Sequence, residues 1–202
     1  MVRIIAFEGI DYSGKTTTVN QLASEFSGEL GYCFNNGLIF PNDLSSQLSS
    51  IARTSNSEEG EFLYTFAHIL DSVSNLSNLE NEKTFFRDRY WPSVIAYGRF
   101  LNKESSFNLA HDLRPLLLPP TTTILLDCSY DELLKRSESR RKRSQIDKMI
   151  LKDSEEYERL ENEIRLSVEG LPNLLRVDTT RKTPEEVSLA VKNHLYDVGV
   201  LR

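Results

Sequence analysis

Two rhythms of apolar residues alternate along this chain. Val2 to Phe7 is short, rich in branched side chains and apolar at all but one position, which predicts a strand buried on both faces. Gly9 to Gly14 breaks it, and from Thr16 to Glu29 the apolar residues Val19, Leu22, Ala23 and Phe26 fall at helical spacing. A second strand is expected within Tyr32 to Phe40, before Pro41. Two helices are expected between Asn42 and Leu79, parted by the polar stretch Ser55 to Gly60. Thr84 to Arg87 reads as a third strand that stops at Asp88, while Trp91 to Leu101 and Phe107 to Leu118 read as helices. Thr121 to Leu126 is the clearest strand, three threonines followed by Ile-Leu-Leu.

The second half continues the alternation. Ser129-Tyr130-Asp131-Glu132 has the spacing of a capping box and opens a helix to about Ser139. A charged helix from about Asp147 to Val168 and a short strand from Leu174 to Val177 follow. A last helix opens at Thr183-Pro184-Glu185-Glu186, with cap, N1 proline and N3 glutamate in place. Strands alternating with helices predict a mainly parallel sheet covered on both faces, a three-layer α/β/α domain with a five-stranded sheet. With no repeat and no linker, residues 1–202 read as one domain carrying a basic, helical lid at about 138–150.

Between the first strand and the first helix lies Gly9-Ile10-Asp11-Tyr12-Ser13-Gly14-Lys15-Thr16, which fits G-x-x-x-x-G-K-[ST] at every fixed position. In such a loop the backbone turns so that successive N–H groups face phosphate oxygens, and the following helix adds its positive dipole end. Gly9, Asp11, Tyr12, Ser13, Gly14, Lys15, Thr16 and Thr17 are therefore the expected ATP-binding residues. Lys15 is expected to reach the β- and γ-phosphates and the Thr16 hydroxyl to bind Mg²⁺. The fold class that goes with this motif is the P-loop NTPase.

Asp88-Arg89-Tyr90 falls just beyond the apolar end of the third strand, and open α/β sheets bind ligands at such ends. The carboxylate could hold Mg²⁺, and the guanidinium could grip a phosphoryl group with two hydrogen bonds; a plain strand-end salt bridge is the alternative. Arg140, Arg141, Lys142 and Arg143 form the one dense basic run. It reads either as a solvated helix end or as a segment that closes over a phosphoryl group and neutralises its charge.

Composition narrows the partners. At 202 residues, with 39% apolar and 27% charged residues, the chain has an ordinary globular balance. Its net charge of −6 argues against binding polymeric nucleic acid, although a nucleotide site needs only a few local cations. No stretch approaches the ~20 apolar residues of a membrane span, and the start lacks a secretory signal, so a cytoplasmic protein is expected. Cys33 and Cys128 are far apart and read as buried thiols, and the three histidines lack metal-ligand spacing.

In order along nearly its whole length the chain resembles the thymidylate kinase family of nucleoside monophosphate kinases. Phe7-Glu8-Gly9-Ile10-Asp11 through Lys15-Thr16-Thr17 is similar to that family's opening, and Asp88-Arg89-Tyr90 with Ser93, Ala96 and Tyr97 matches D-R-Y-x-x-S-x-x-A-Y. Phe40-Pro41, Phe66-Ala67, Leu126-Asp127 with Leu134-Lys135-Arg136, and Val177-Asp178 with Pro184-Glu185-Glu186-Val187 resemble further stretches. The resemblance implies ATP as donor, a nucleoside monophosphate as acceptor, Mg²⁺ and a homodimer. It implies an acceptor site of Asp11, Phe40, Phe66, Arg89 and Tyr97, with Asp11 on the sugar, Phe66 stacked on the base and Tyr97 near C2′. Arg89 would bridge the two phosphates, with Asp88 and Thr16 near the metal. Members carry a catalytic arginine in the loop or in the lid. Because Tyr12 occupies the loop position here, Arg140, Arg141 and Arg143 join Lys15 and Arg89 as expected catalytic residues.

The acceptor half departs from the family pattern. Asn42-Asp43 follow Phe-Pro where an arginine is usual, and Leu70 stands four residues after Phe66 where another arginine would bind thymine and phosphate. Val94 and Gly98 also differ from common choices. Three functions stay open on these residues: a nucleoside monophosphate kinase, a kinase for a nucleoside or other hydroxyl acceptor with Glu8 or Asp11 as base, and a nucleotide-binding regulatory protein without turnover.

Overall fold

The computed structural model describes residues 3–26, 43–54, 60, 63, 66–67, 70–71, 84–103, 108, 111–112, 114–139 and 145–201. The elements are β1 (Arg3–Glu8), α1 (Lys15–Glu25), α2 (Asp43–Thr54), β2 (Thr84–Asp88), α3 (Trp91–Phe100), a 3₁₀ turn (Arg114–Leu116), β3 (Thr122–Asp127), α4 (Tyr130–Ser137), α5 (Gln145–Ile150), α6 (Ser154–Val168), β4 (Leu174–Asp178) and α7 (Pro184–Asp197). The strands form one sheet in the order β2-β1-β3-β4. Every pairing is parallel, with Phe7 opposite Asp88, Glu8 opposite Leu125 and Asp127 opposite Asp178.

Alternation along the strands divides the core in two. Ile5, Phe7, Phe86, Ile124 and Leu126 face Val19 and Leu22 of α1 and Val187, Val191 and Leu195 of α7. Ile4, Ala6, Phe85 and Leu125 face the other way, into Ile95, Ala96 and Phe100 of α3 and Leu160, Ile164 and Val168 of α6. Each such side chain fully buried contributes about 1.5–3 kcal/mol, so both helical layers are held by the sheet rather than by their own propensity. The P-loop NTPase α/β/α architecture expected from the sequence is present. Four strands lie among the described residues; the strand expected within Tyr32 to Phe40 lies outside them.

Two helices differ from what their apolar spacing suggests. The helix expected to run to Leu118 gives way to the 3₁₀ turn at Arg114–Leu116, because Pro115 has no amide donor and disfavours a helical residue before it. The charged helix expected from Asp147 to Val168 is two helices. Asp153 is extended and its side chain accepts the Glu156 N–H at 2.9 Å, starting α6 afresh. The Thr183 capping box forms in both directions, whereas at Ser129 only the hydroxyl half forms and Glu132 pairs with Arg136 instead.

All four strands end in an acidic residue at the same edge of the sheet: Glu8, Asp88, Asp127 and Asp178. The loops that follow these carboxyl ends build the site.

Candidate active site

The loop after β1 turns sharply. Gly9 has φ 137, and a Cβ there would lie 2.2 Å from the Leu126 carbonyl oxygen, so only glycine lets the loop pass over β3. Tyr12 takes a left-handed φ of 69 and packs its ring against the α3/α6 side of the core; Gly14, at φ 99, starts α1. Lys15 is buried, and its ammonium donates to the Ile10 carbonyl at 2.7 Å and to Ser13 Oγ at 3.5 Å. Burial and then the neighbouring Arg89 push the Lys15 pKa down to about 8, against the pull of Asp11, Asp88 and Glu8. Thr16 and Thr17 are exposed in the first turn of α1, and the Thr16 hydroxyl donates to Asp88 across the loop.

Arg89 is the hub of the cleft. Its φ of 71 turns the chain out of the sheet, while its amide still donates to the Phe7 carbonyl at 2.9 Å. The guanidinium donates to the Gly9 carbonyl at 2.9 Å, Ser93 Oγ at 3.1 Å, Asp11 Oδ1 at 2.9 Å and the Tyr97 hydroxyl at 2.7 Å. Tyr97 in turn donates to Asp11 Oδ2 at 3.3 Å. Burial opposes the Asp11 charge, but Arg89, Lys15 and these hydrogen bonds outweigh it and hold the carboxyl well below the usual range. The Arg89 charge is likewise reinforced by Tyr97 and Asp11 against burial, and burial lifts the Tyr97 hydroxyl well above its ordinary value.

Behind Arg89 sits Glu8, with no exposed surface. Its Oε1 accepts the Tyr90 N–H at 3.0 Å and its Oε2 accepts the Ser93 hydroxyl. Burial raises its pKa to about 7, against Ser93, Arg89, Tyr90 and Lys15. A general base for a hydroxyl acceptor must reach the proton it takes. The hydroxyl-acceptor alternative asks this of Glu8, both of whose oxygens are engaged inside the protein.

On the far side of the loop Arg136 makes a clamp that the sequence alone does not reveal. Its guanidinium pairs with Glu132 at 2.8 Å and donates to the Tyr12 carbonyl at 3.1 Å, Thr179 Oγ1 at 3.0 Å and the Thr179 carbonyl at 2.7 Å. The Thr179 hydroxyl also contacts the Ser13 carbonyl at 3.0 Å. Arg136 was legible only as part of the helix leading to the lid, and Thr179 only as the residue after a strand. Phe66 is helical and 39% exposed, with Ala67 beside it buried. Phe40, Arg140, Arg141 and Arg143 lie outside the described residues.

The family model described as thymidylate kinase matches residues 7–188, the stretch that carries every feature above. The chain belongs to the thymidylate kinase family. It is an ATP-dependent phosphotransferase of the nucleoside monophosphate kinase type. A probable thymidylate kinase of Methanococcus vannielii is 28% identical over 192 residues, covering 93% of this chain and 92% of that protein. The fold matches the thymidylate kinase from Ehrlichia chaffeensis with a TM-score of 0.66 at 20% identity, over 96% of this chain and 98% of that one. It matches a deoxyadenosine kinase from M. mycoides with a TM-score of 0.62 at 18% identity, over 96% and 99%. No helix among the described residues is long and apolar enough to cross a membrane.

Proposed function

We propose that this chain transfers the γ-phosphoryl of ATP to the phosphate of dTMP or a related deoxynucleoside monophosphate, with Lys15, Arg89 and arginines of the 138–150 lid as its catalytic cations. The observation that carries the reading is Arg89: a guanidinium fixed by four acceptors, on the acceptor side of a phosphate loop whose lysine stands ready on the donor side. Phosphoryl transfer to an ionised phosphate needs no base, so positioning and charge neutralisation suffice. Lys15 leaves the Ile10 carbonyl for the β- and γ-phosphates, the loop amides hold the donor, and Arg89 spans the two substrates. Arg140, Arg141 or Arg143 would complete the charge balance from the lid. Asp11 and Tyr97 fit the acceptor sugar, and Phe66 and Phe40 the base.

The residues present fit Mg²⁺. A threonine hydroxyl and a carboxylate meet at the phosphate-loop helix, two oxygen donors of the kind a hard cation takes when substrate phosphates and water supply the rest. Thr16 and Asp88 would hold the ion, which would neutralise charge on the substrate phosphates.

A homodimer in the cytoplasm, built from one kinase domain over residues 1–202, completes the reading. Helix α2 supports the dimer: Leu44 and Ile51, seven apart, are 55% and 53% exposed while Ser45, Ser49 and Ala52 of the same helix face inward.

The altered positions 42 and 70 favour one rival, transfer to a nucleoside hydroxyl, as does the fold shared with a deoxyadenosine kinase. The geometry weighs against it. Glu8 is enclosed, and Asp11 is paired with Arg89 and held too acidic to take a proton readily. Purified chain, Mg·ATP and a panel of nucleosides and nucleoside monophosphates, followed by ADP release, separate the readings. Turnover with dTMP or another deoxynucleoside monophosphate is expected. Turnover with nucleosides alone would overturn the phosphate-acceptor reading, and ATP binding without acceptor-dependent ADP would overturn the enzyme.

A further inference from the structure

Of the four acids that end the strands, Glu8 alone has no exposed surface, and the proposed transfer gives it no task. It is nonetheless tied to Arg89 by two routes. Through the side chains, Arg89 Nη1 donates to Ser93 Oγ and the Ser93 hydroxyl donates to Glu8 Oε2. Through the backbone, Glu8 Oε1 accepts the amide of Tyr90, the residue that follows Arg89 and its left-handed φ. Ser93 has a single hydroxyl proton. Given to Glu8, it leaves the oxygen lone pairs facing the guanidinium; turned the other way, it would point a proton at a cation.

We propose that Glu8 is a positioning residue for Arg89, acting through the Ser93 hydroxyl and the Tyr90 amide to fix both the direction of the guanidinium and the strained turn from which it projects. The charges around Glu8 suit this. Burial opposes its ionised form, while Ser93, Arg89, Tyr90 and Lys15 favour it, and the two ends of the guanidinium are held apart, Nη1 on Ser93 and Nη2 on Asp11. Asp11 keeps 31% of its side chain exposed, whereas Glu8 has no exposed surface and acts only by holding.

This inference rests on the reading of Arg89 as the bridge between donor and acceptor phosphates, and the test keeps the two apart. Wild-type turnover with a monophosphate acceptor checks the reading. Glu8→Gln, Ser93→Ala and the double variant are then compared for kcat and for KM of ATP. Loss of alignment at the reacting phosphate is expected to lower kcat roughly tenfold to a hundredfold in either single variant, with KM for ATP unchanged. Because the two residues act in series, the double variant should be no slower than the worse single one. Ser93→Thr, which keeps the hydroxyl, should restore most of the rate.

Multiplicative losses in the double variant, an equal rise in KM for ATP, or no rescue by threonine would overturn the relay while leaving the kinase reading intact. A wild-type chain that turns over no acceptor would overturn both. Should Glu8→Gln fail to fold, Ser93→Ala and its threonine rescue decide the matter, since alanine removes the hydroxyl and threonine keeps it.

Discussion

Replacing Glu8 with glutamine removes a buried charge at nearly constant volume, and its effect on stability follows from the pKa. The carboxyl ionises at 4.5 in an unfolded chain and at about 7 in the folded one. Below the lower value it is neutral in both states, and nothing is lost through ionisation. Between the two values the unfolded chain has released the proton and the folded chain still binds it, so stability falls as pH rises. Above about 7 both states are charged and the loss is complete. That shift corresponds to about 3 kcal/mol. Groups remote from Glu8 cancel in the difference, whereas Lys15 loses the support of the Glu8 charge in the variant and titrates lower there, which widens the difference in the same direction. In the wild type Lys15 is depressed to about 8, so the stability it returns as pH rises begins only at the upper edge of the window. Urea unfolding at pH 5 and pH 8 measures most of the loss: the wild type should lose roughly 2 to 3 kcal/mol more than Glu8→Gln between the two. A difference under about 1 kcal/mol, or of opposite sign, would refute the view that the folded chain carries Glu8 as an unfavourable buried charge. The variant should thus be the more stable and the slower enzyme, as expected where a site is strained for function.

Arg136→Ala should raise KM for ATP at least several-fold in the ADP-release assay, and Arg136→Lys should not rescue it, because an ammonium cannot reproduce a fork that reaches Glu132, the Tyr12 carbonyl and Thr179 together. Chelation of divalent cations should abolish turnover, and Thr16→Val should raise the Mg²⁺ concentration for half-maximal rate through loss of a ligand oxygen. Thr183→Ala should destabilise the chain by about 1 kcal/mol in urea unfolding, since the hydroxyl caps α7 by accepting the Glu186 N–H.

Features carried by short stretches of chain were readable in advance. The phosphate loop declares itself because its residues must be contiguous to curl around a phosphate, and the strand before it and helix after it have opposite periodicities. Arg89 was readable as a candidate site residue because it follows a strand end. What the sequence hid is set by meetings in space. Arg136 and Thr179 are 43 positions apart, and Arg136 reaches Tyr12 across 124. Glu8 looked like an available base from its neighbours alone; its burial depends on Ser93 and Tyr90, which come from a different strand end. The break between α5 and α6 was present as Asp153-Ser154, but the charged residues around it mask a cap that uses an ordinary acid.

Asp88, Arg89 and Tyr90 are consecutive, yet they reach Thr16, Asp11 and the core in turn. In the proposed reaction the anchors of metal and acceptor thus hang from a single peptide unit, pinned to β1 by the Arg89 amide. A movement of β2 carries both anchors together, so the spacing between the metal anchor and the acceptor anchor is kept as the sheet breathes. Asn42 and Leu70, where the family resemblance led arginines to be expected, belong to other segments. Choice of acceptor and alignment for transfer are therefore modular, and a lineage could exchange the molecule it phosphorylates while keeping its transfer geometry untouched.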